Sequence, residues 1–329
     1  MKLAATASQA YLHASSFTRL VVVGDIHGNW KGLMEDLSHA GLTVPGQCVW
    51  RQSDGSDSVL LVQTGDVVDR GRYSIECFTC LQKLQDTAES FGHKVIRLLG
   101  NHELLWLGAQ YDYRNSETDT TSKINALTKG IVDDILDKKL LGSYYTDMFG
   151  GVPILFCHAG LRKAMKANIM DRSVAASGLK QLSSSDGFTI SSFINDMIHH
   201  DISECYAFRR YTTSYTDKIR CGVFLTDVIY GVGPERRGRS VGGVMWTDYH
   251  VLEQEASETN WGFVQVVGHT LQKGKIRATD RLTSICVDAG MLVGGRAYLT
   301  VNQEGRFFSH EKQSDDNWIE HDLTSMMCS

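Results

Sequence analysis

Residues 60–71 read Leu-Leu-Val-Gln-Thr-Gly-Asp-Val-Val-Asp-Arg-Gly, and this stretch decides the fold. Its apolar start predicts a buried parallel strand, and Gly65 predicts the turn that ends it. Packing gives no reason for Asp66, Asp69 and Arg70 to stand at the carboxyl end of a buried strand. Open α/β sheets bind their ligands at that end, so the charged turn indicates a functional site.

The same pattern occurs at two further places in the chain. Residues 21–23 lead into Gly-Asp-Ile-His-Gly at 24–28, and residues 95–99 lead into Gly-Asn-His-Glu at 100–103. One such turn would carry little weight, because Gly and Asp are common turn residues. Three apolar strands that each deliver metal-capable side chains at the same end predict a shared site.

Apolar residues at helical spacing predict amphipathic helices between these strands. The resulting order is β-α-β-α-β, and right-handed crossovers make the sheet parallel. Two later strands are predicted to end in His158 and His269. The predicted helices cover residues 29–40, 73–91, 124–140 and 193–200, and the later strands cover 144–149, 152–157, 263–267, 283–287, 296–301 and 306–310.

The composition is that of an ordinary globular protein of 329 residues, with 42% hydrophobic and 22% charged residues. A net charge of −5 gives no reason to expect a nucleic acid or an anionic membrane as partner. No apolar run reaches transmembrane length. We expect a flexible tail at 1–18 and a single catalytic domain at 19–329, with a helical insert at about 161–260.

The eight Cys residues form neither a metal-finger pattern nor a disulfide framework. Cys77 and Cys80 lie on a predicted helix, where core packing accounts for both. A reducing compartment is therefore expected, with the cytoplasm as the location. The first twenty residues contain no acidic side chain, which leaves organelle targeting open.

Six polar side chains stand at the predicted strand ends: Asp25, His27, Asp66, Asn101, His158 and His269. This mixed set of oxygen and nitrogen donors suits manganese, iron or zinc. Six ligands are too many for one tetrahedral zinc ion, but they fit two divalent ions that share a carboxylate. Asp66 lies on the middle turn and is the natural bridge. Two such ions clamp a phosphoryl group and generate a bridging hydroxide near neutral pH, which predicts in-line hydrolysis of a phosphate ester.

Three further residues are candidates for catalysis. His102 follows a predicted ligand directly and is free to act as general acid on the leaving oxygen, with Asp69 to orient it. Arg70 offers a planar fork to the substrate phosphate. Arg70 and Asn101 are the predicted substrate-binding residues.

These motifs resemble those of metallophosphatases of the phosphoprotein phosphatase (PPP) superfamily. The resemblance covers residues 20–107 closely, and then 158–160, 268–269 and 288–290. It implies a calcineurin-like α/β fold, in which a central β-sandwich is flanked by helices as α/β/β/α. It also implies two metal sites that share one ligand, formed by Asp25, His27 and Asp66 and by Asp66, Asn101, His158 and His269.

Details of the motifs favour one branch of the superfamily. Leu271 stands where related nucleases and phosphoesterases carry a second His, which favours the protein phosphatases and the dinucleoside hydrolases. Asp69 and Glu103 differ from the residues usual in dinucleoside tetraphosphate hydrolases. Residues 287–291 and the long insert before His269 are similar to the bacterial-type, Shewanella-like protein phosphatases.

The chain departs from that branch at two positions. Asp248 stands where an Arg that contacts phosphate is expected, so Arg236, Arg237 or Arg239 is a candidate replacement, unless these three form a solvated surface cluster. In residues 158–160, His-Ala-Gly replaces the commoner His-Gly-Gly.

The expected substrate is a phosphorylated protein side chain, with phosphotyrosine favoured over phosphoserine and phosphothreonine. The preference rests on the absence of the Ser-Ala-Pro-Asn-Tyr segment of eukaryotic Ser/Thr phosphatases and on aromatic residues that core packing explains about as well: Tyr206, Phe208, Tyr211, Tyr215, Trp246 and Tyr249. A dinucleoside tetraphosphate hydrolase, a nuclease or phosphodiesterase, and an inactive scaffold remain as alternatives. A scaffold would usually have lost a metal ligand, and none is missing. Manganese is the expected metal, and the oligomeric state stays open.

Overall fold

The computed structural model describes residues 17–52, 57–107, 121–169, 187–209, 227–240, 242–257, 261–314 and 317–325. Its first half forms the predicted β-α-β-α-β unit and then continues through two helices into a β-hairpin. The elements are β1 (Arg19–Val23), α1 (Trp30–His39), β2 (Val59–Gln63), α2 (Ser74–Thr87), β3 (Lys94–Leu98), α3 (Asn101–Leu107), α4 (Thr121–Leu136), β4 (Leu140–Leu141), β5 (Ser143–Thr146) and β6 (Ile154–Cys157). A 3-10 turn, Ala88–Phe91, follows α2.

The second half begins with helices and ends with strands. The elements are α5 (Gly187–Arg209), α6 (Asp227–Tyr230), α7 (Tyr249–Glu255), β7 (Val264–Val267), β8 (Arg277–Ala278), β9 (Ser284–Cys286), β10 (Ala297–Asn302), β11 (Phe307–Ser314) and β12 (Asn317–Asp322). Residues 163–169 are also helical. Short 3-10 turns occur at Pro234–Arg236 and Met291–Val293.

The strands form two sheets. The first has seven strands in the order β12-β11-β10-β1-β2-β3-β4, and its β1–β4 half is parallel. The second has five strands in the order β5-β6-β7-β9-β8, with β6, β7 and β9 parallel. All the predicted functional turns therefore follow parallel strands, at the edge where α/β sheets bind ligands.

The two sheets pack against each other as a sandwich. The alternation of side chains along β1, β2 and β3 explains this arrangement. Leu20, Leu60 and Ile96 belong to an apolar cluster shared with strands of the second sheet. Their neighbours Val21 and Leu61 belong to a second cluster that includes residues of α1, α2 and α4. Both faces of these strands are buried, which is why they read as continuous apolar runs rather than as alternating ones.

One prediction about cysteine is wrong. Cys80 forms a disulfide with Cys48, and Cys205 is also disulfide-bonded, whereas Cys77 is free and buried as expected. The loop after α1 packs on α2, because the Trp50 indole N–H donates to the Leu84 carbonyl oxygen at 3.2 Å. That contact brings Cys48 over the buried face of α2. The ground for expecting a reducing compartment is thereby removed.

Other differences are local. The helix predicted at 124–140 ends at Leu136, and residues 140–141 form a short strand instead. The final strand β12 was not predicted, because residues 317–322 alternate weakly and expose most of their side chains. None of the described helices is both long and apolar enough to span a bilayer. Most of the predicted tail, residues 1–16, lies outside the described residues.

Candidate functional site

The turns after β1 and β2 are bonded to each other through their backbones. The N–H groups of Ile26 and His27 donate to the Asp66 carbonyl oxygen at 3.0 and 2.9 Å, and the Gly28 N–H donates to Val67 at 2.8 Å. The two predicted ligand turns are thereby held side by side. Asp25, His27 and Asp66 consequently face one another.

Two glycines permit this close approach. A Cβ atom on Gly100 would lie 2.1 Å from Asp66 Oδ1, and one on Gly71 would lie 2.1 Å from the His27 carbonyl oxygen. Any side chain at either position would push the turns apart. The glycines in these motifs therefore keep the turns in register.

Left-handed backbone is concentrated in the site. Nine non-glycine residues in the described part of the chain have a positive φ, and five of them are site residues: His27, Asp66, Asp69, Arg70 and His269. This conformation is unfavourable for residues with a Cβ, and it persists where surrounding contacts impose it. The turns are thus fixed by their mutual contacts rather than by local preference.

Glu103 supplies many of those contacts. Its carboxylate accepts the N–H groups of Asp66, Val67, Val68 and Gly100 at 2.9, 2.8, 3.1 and 2.8 Å. The side chain is fully buried. Glu103 therefore ties the turn after β2 to the turn after β3, a role that the sequence analysis did not assign to it.

The first predicted metal set lies around His27. Its Nδ1 faces the Val68 carbonyl oxygen at 3.2 Å, so this nitrogen carries the proton and Nε2 is left as a lone-pair donor. Nε2 lies 3.6 Å from Asp66 Oδ2 and 4.0 Å from Asp25 Oδ2. Ligand atoms of His27, Asp66 and His102 lie within 4.8 Å of one another.

The second predicted set converges more tightly. His158 Nδ1 donates to the Thr64 carbonyl oxygen at 2.9 Å, and its Nε2 lies 2.8 Å from Asn101 Oδ1 and 3.4 Å from Asp66 Oδ2. His269 Nδ1 lies 3.0 Å from the same Asn101 oxygen and 3.2 Å from His158 Nε2. Asp66 belongs to both groups of neighbouring donor atoms, the first of which contains His102 and not Asp25.

Burial and mutual charge shift the pKa values in the site. Burial lowers the pKa of His27 to about 4 and that of His269 well below its usual range. Burial also acts to lower the pKa of His158, but the Asp66 and Asp25 carboxylates and the Thr64 carbonyl oxygen together outweigh it and raise that pKa to about 10. Burial, with the nearby carboxylates, raises the pKa of Asp25 well above its usual range and that of Asp288 to about 6.

The donor atoms fit divalent metal ions. Asn101 Oδ1, His158 Nε2 and His269 Nδ1 lie 2.8–3.2 Å from one another, and Asp66 Oδ2 lies 3.4 Å from His158 Nε2. Each of these atoms can serve as a metal ligand, because an amide oxygen and the unprotonated nitrogen of a neutral imidazole carry a lone pair. Carboxylate, amide and imidazole donors match the preferences of first-row divalent metals.

The three predicted catalytic residues form a chain beside these ligands. His102 Nδ1 lies 2.8 Å from Asp69 Oδ2, and Arg70 Nη2 donates to His102 Nε2 at 2.9 Å. The His102 backbone N–H donates to Asp66 Oδ1 at 2.8 Å. The carboxylate–imidazole pair is thus attached directly to Asp66, the predicted shared ligand.

The later part of the chain adds a second arginine. Arg236 Nε donates to both carboxylate oxygens of Asp248 at 3.0 Å, and the Thr270 hydroxyl donates to Asp248 at 3.4 Å. Thr270 directly follows His269, so the Arg236–Asp248 pair adjoins the turn that carries His269. The Trp246 ring stands edge-on to His269, with 5.9 Å between ring centroids.

One aromatic candidate for the mouth of the site is buried elsewhere. The Tyr249 hydroxyl donates to the Ser284 carbonyl oxygen at 2.9 Å, and the ring is 1% exposed. Tyr249 is therefore a core residue. Tyr211, Tyr215 and the side chains of Tyr206 and Phe208 lie outside the described residues.

Comparison with known proteins settles the family. Residues 18–217, more than half of the chain, match the model of the Calcineurin-like phosphoesterase family. The chain belongs to this family. The prediction of a metallophosphatase, and of its fold class, is thereby confirmed.

Two relatives are similar to the chain over about 30% of its length. The chain is 38% identical to Shewanella-like protein phosphatase 1 of Plasmodium berghei over 99 residues, 30% of this chain and 25% of that protein. It is 35% identical to Shewanella-like protein phosphatase 2 of Arabidopsis thaliana over 100 residues, 29% and 23% of the two chains. These alignments span about a quarter of the length of the curated relatives.

Among solved structures, the fold is similar to that of the cold-active protein-tyrosine phosphatase of a psychrophilic Shewanella species. The TM-score is 0.58 at 17% identity, and the match covers 93% of this chain and 80% of the other. At this identity the similarity concerns the fold alone.

Proposed function

We propose that this chain is a metal-dependent phosphoprotein phosphatase that hydrolyses phosphomonoesters of protein side chains. The observation that carries the proposal is the hydrogen-bonded series Asp69–His102–Arg70. It runs from a buried carboxylate to a guanidinium, and its His102 backbone N–H donates to Asp66. It supplies a proton donor for a leaving oxygen and a cation for a phosphate, next to the donors for two metal ions.

In this proposal each metal ion has its own ligands apart from the shared one. Asp25, His27 and Asp66 would hold one ion, and Asp66, Asn101, His158 and His269 would hold the other. Manganese is the proposed metal, because the donor set mixes carboxylate, amide and imidazole. When bound, two divalent ions supply positive charge for the phosphoryl oxygens and lower the pKa of water.

His102 acts as the general acid. The Asp69 carboxylate accepts its Nδ1–H and stabilises the protonated ring, so that Nε2 presents a proton to the leaving oxygen. Without substrate, the Arg70 guanidinium donates a hydrogen bond to His102 Nε2. A substrate phosphate is a stronger acceptor for the guanidinium than a neutral imidazole is, so substrate binding releases Nε2 for the proton.

Two arginines bind the phosphate from different sides. Arg70 comes from the turn after β2, and Arg236 comes from the segment before Asp248. The Arg236–Asp248 ion pair explains how a chain with Asp at 248 keeps a guanidinium near the site: the carboxylate fixes the arginine from another position. Of the three candidate arginines, Arg236 is therefore the proposed replacement.

The substrate is proposed to be a phosphorylated protein side chain. The names of the two relatives, both protein phosphatases, support this class, and the name of the structural neighbour supports phosphotyrosine. The Trp246 ring beside His269 is suited to contact an aromatic leaving group.

Replacement of His102 by Asn tests the acid role. We expect kcat on an alkyl phosphate to fall by roughly 10²–10⁴-fold, the usual range for a positioned acid. The loss should shrink on nitrophenyl phosphate, whose leaving group needs little protonation, and Asp69→Asn should follow the same pattern. His200→Asn, at an exposed His outside the site, is the matched control. Equal losses on good and poor leaving groups would contradict the acid role.

A further inference from the structure

An exposed apolar surface adjoins the candidate site. Eight large apolar side chains are exposed in the described part of the chain, and three of them stand on the two segments that carry His269 and Asp288. Leu271 is 47% exposed, Leu292 is 37% exposed and Val293 is 70% exposed. Exposed apolar groups that cluster mark interaction surfaces more often than scattered ones do.

The two segments are bonded to each other, so the cluster is a single surface. The N–H of Gln272 donates to the Asp288 carbonyl oxygen at 2.8 Å, and the N–H of Gly274 donates to Ala289 at 2.7 Å. A Cβ atom on Gly290 would lie 2.1 Å from Leu271 Cδ1 and 3.1 Å from Val293 Cγ2. Leu271 and Val293 therefore meet above Gly290.

The surface is continuous with the proposed metal centre. The His269 N–H donates to Asp25 Oδ1 at 3.0 Å, which ties the first segment to the ligand turn after β1. A Cβ atom on Gly24 would lie 3.1 Å from Asp288 Cα, so the second segment packs against the same turn. The Asn29 side-chain amide donates to the Met291 carbonyl oxygen at 2.7 Å and holds the 3-10 turn in place.

Positive charge stands on the same surface. Lys273 and Lys275 follow Leu271 and are exposed, and the structure shows no ion pair between either of them and any residue it describes. The nearby Arg277, in contrast, is paired with Glu253 at 2.6 Å. In a chain with a net charge of −5, two lysines that pair with no acidic group in the described ranges and stand beside an apolar cluster are complementary to an acidic and apolar partner.

We propose that Leu271, Leu292, Val293, Lys273 and Lys275 form a docking surface for the phosphorylated polypeptide. It selects an apolar side chain close to the phosphorylated residue and acidic residues beyond it. The inference rests on the proposed function and extends it from a phosphorylated side chain to the sequence around that side chain.

Matched phosphopeptides test the proposal. The host peptide is built of Gly, Ser and Ala around the phosphoresidue that the wild-type protein hydrolyses faster. A single Leu is placed in turn at each of the three positions before and after that phosphoresidue. We expect kcat/KM, relative to that of nitrophenyl phosphate, to rise roughly fivefold for Leu on one side, since part of a leucine side chain is buried. Adding Glu beyond that Leu should raise the ratio further, and salt should weaken this second increase.

Substitutions in the docking surface test which residues cause the two peptide preferences. Leu271→Ser and Val293→Ser should each remove most of the preference for Leu, and joint replacement of Lys273 and Lys275 by Gln should remove the preference for Glu. Ile319→Ser is the matched control, because Ile319 is 38% exposed but lies on β12, three strands away from β1. The control should keep both preferences.

Three results would overturn the docking surface. The first is a Leu preference that survives in both Ser variants. The second is a changed sedimentation coefficient in those variants while their peptide preference stays as in the wild type. That result would mean that the surface is a contact between copies of the chain. If neither peptides nor nitrophenyl phosphate are hydrolysed, the proposed function fails instead. Fluorescence anisotropy then measures binding of the same peptides without hydrolysis. Equal affinity for the peptide with Leu and for the peptide with Ser at the same position is the third contrary result.

Discussion

Glu103 shapes the site without contributing a metal ligand. Four backbone N–H groups from two turns converge on its carboxylate, and those turns carry Asp66 and Asn101. A carboxylate can accept all four, because it has lone pairs on both oxygens and no hydrogen. An amide at this position would direct its NH₂ group at backbone donors.

Glu103→Gln is therefore expected to destabilise the protein by about 2–4 kcal/mol, the range for losing charged hydrogen bonds in a buried network. Metal content should fall as well, because the turn that holds Asp66 loses its support. Denaturant titration and elemental analysis measure the two effects. Glu304→Gln, at an exposed position, is the control. A variant with wild-type stability would show that the four contacts carry no net energy.

Asp36 presents the opposite case, a buried carboxylate that has no hydrogen-bond partner among the described residues. Both of its oxygens lack such a partner there, and the residue is fully buried on α1. The nearby Arg296 and Lys312 are engaged with Glu35, at 3.1 and 3.5 Å. Burial consequently raises the pKa of Asp36 well above its usual range.

This shift makes stability depend on pH in a defined direction. The unfolded chain releases the Asp36 proton near the ordinary pKa of about 3.9, whereas the folded chain keeps it to higher pH. Between those two pKa values the folded state binds more protons, so stability falls by up to about 1.4 kcal/mol per pH unit as pH rises.

Asp36→Asn has no such proton, so its stability relative to wild type should improve steadily from about pH 4 upward. Thermal unfolding of both proteins between pH 4 and 8 measures the difference. Asp137→Asn, at an exposed aspartate, should show no comparable trend. A difference between the Asp36 variant and wild type that stays constant with pH would mean that the folded chain ionises Asp36 normally.

At the scale of elements, α2 connects the turn after β2 to the loop after α1. The Ser74 hydroxyl at its start accepts the Asp69 N–H at 3.0 Å, and Cys80 near its middle is joined to Cys48. The disulfide closes a segment of the chain across a sequence separation of 32 residues. The loop after α1 and the helix after the catalytic turn therefore form one unit.

Cys48→Ser is expected to lower the free energy of unfolding by about 2–4 kcal/mol, since the cross-link no longer restricts the unfolded chain. Denaturant titration measures this, and the double variant with Cys80→Ser should behave like the single one. Peptide mapping under non-reducing conditions provides an independent check. Free thiols at both positions in the native protein would contradict the bond.

The three ligand turns could be predicted at this scale because each element carries its own signal. Continuous apolar runs followed by Gly and a charged residue identify buried parallel strands, and topology alone brings their ends together. The disulfide carried no such signal, because it depends on how the loop ending at Trp50 packs on α2. Local patterns along the chain do not contain that contact.

For the whole molecule, the sandwich followed from the resemblance and not from periodicity. Strands buried on both faces look the same whether a helix or a second sheet covers them, so residues such as Leu20 and Val21 do not reveal their different surroundings. The Arg236–Asp248 pair was likewise out of reach, because it joins residues twelve positions apart through an irregular segment. The candidate ligands were accessible because each follows a strand directly.

The most direct test of the central claim is a comparison of substrates on one metal-loaded preparation. Protein stripped of metal and reconstituted with manganese is assayed on matched phosphotyrosine and phosphothreonine peptides, with diadenosine tetraphosphate alongside. We predict manganese-dependent release of phosphate from both peptides, faster from phosphotyrosine, and slower cleavage of the dinucleotide. Faster cleavage of diadenosine tetraphosphate than of either peptide would contradict the assignment as a phosphoprotein phosphatase.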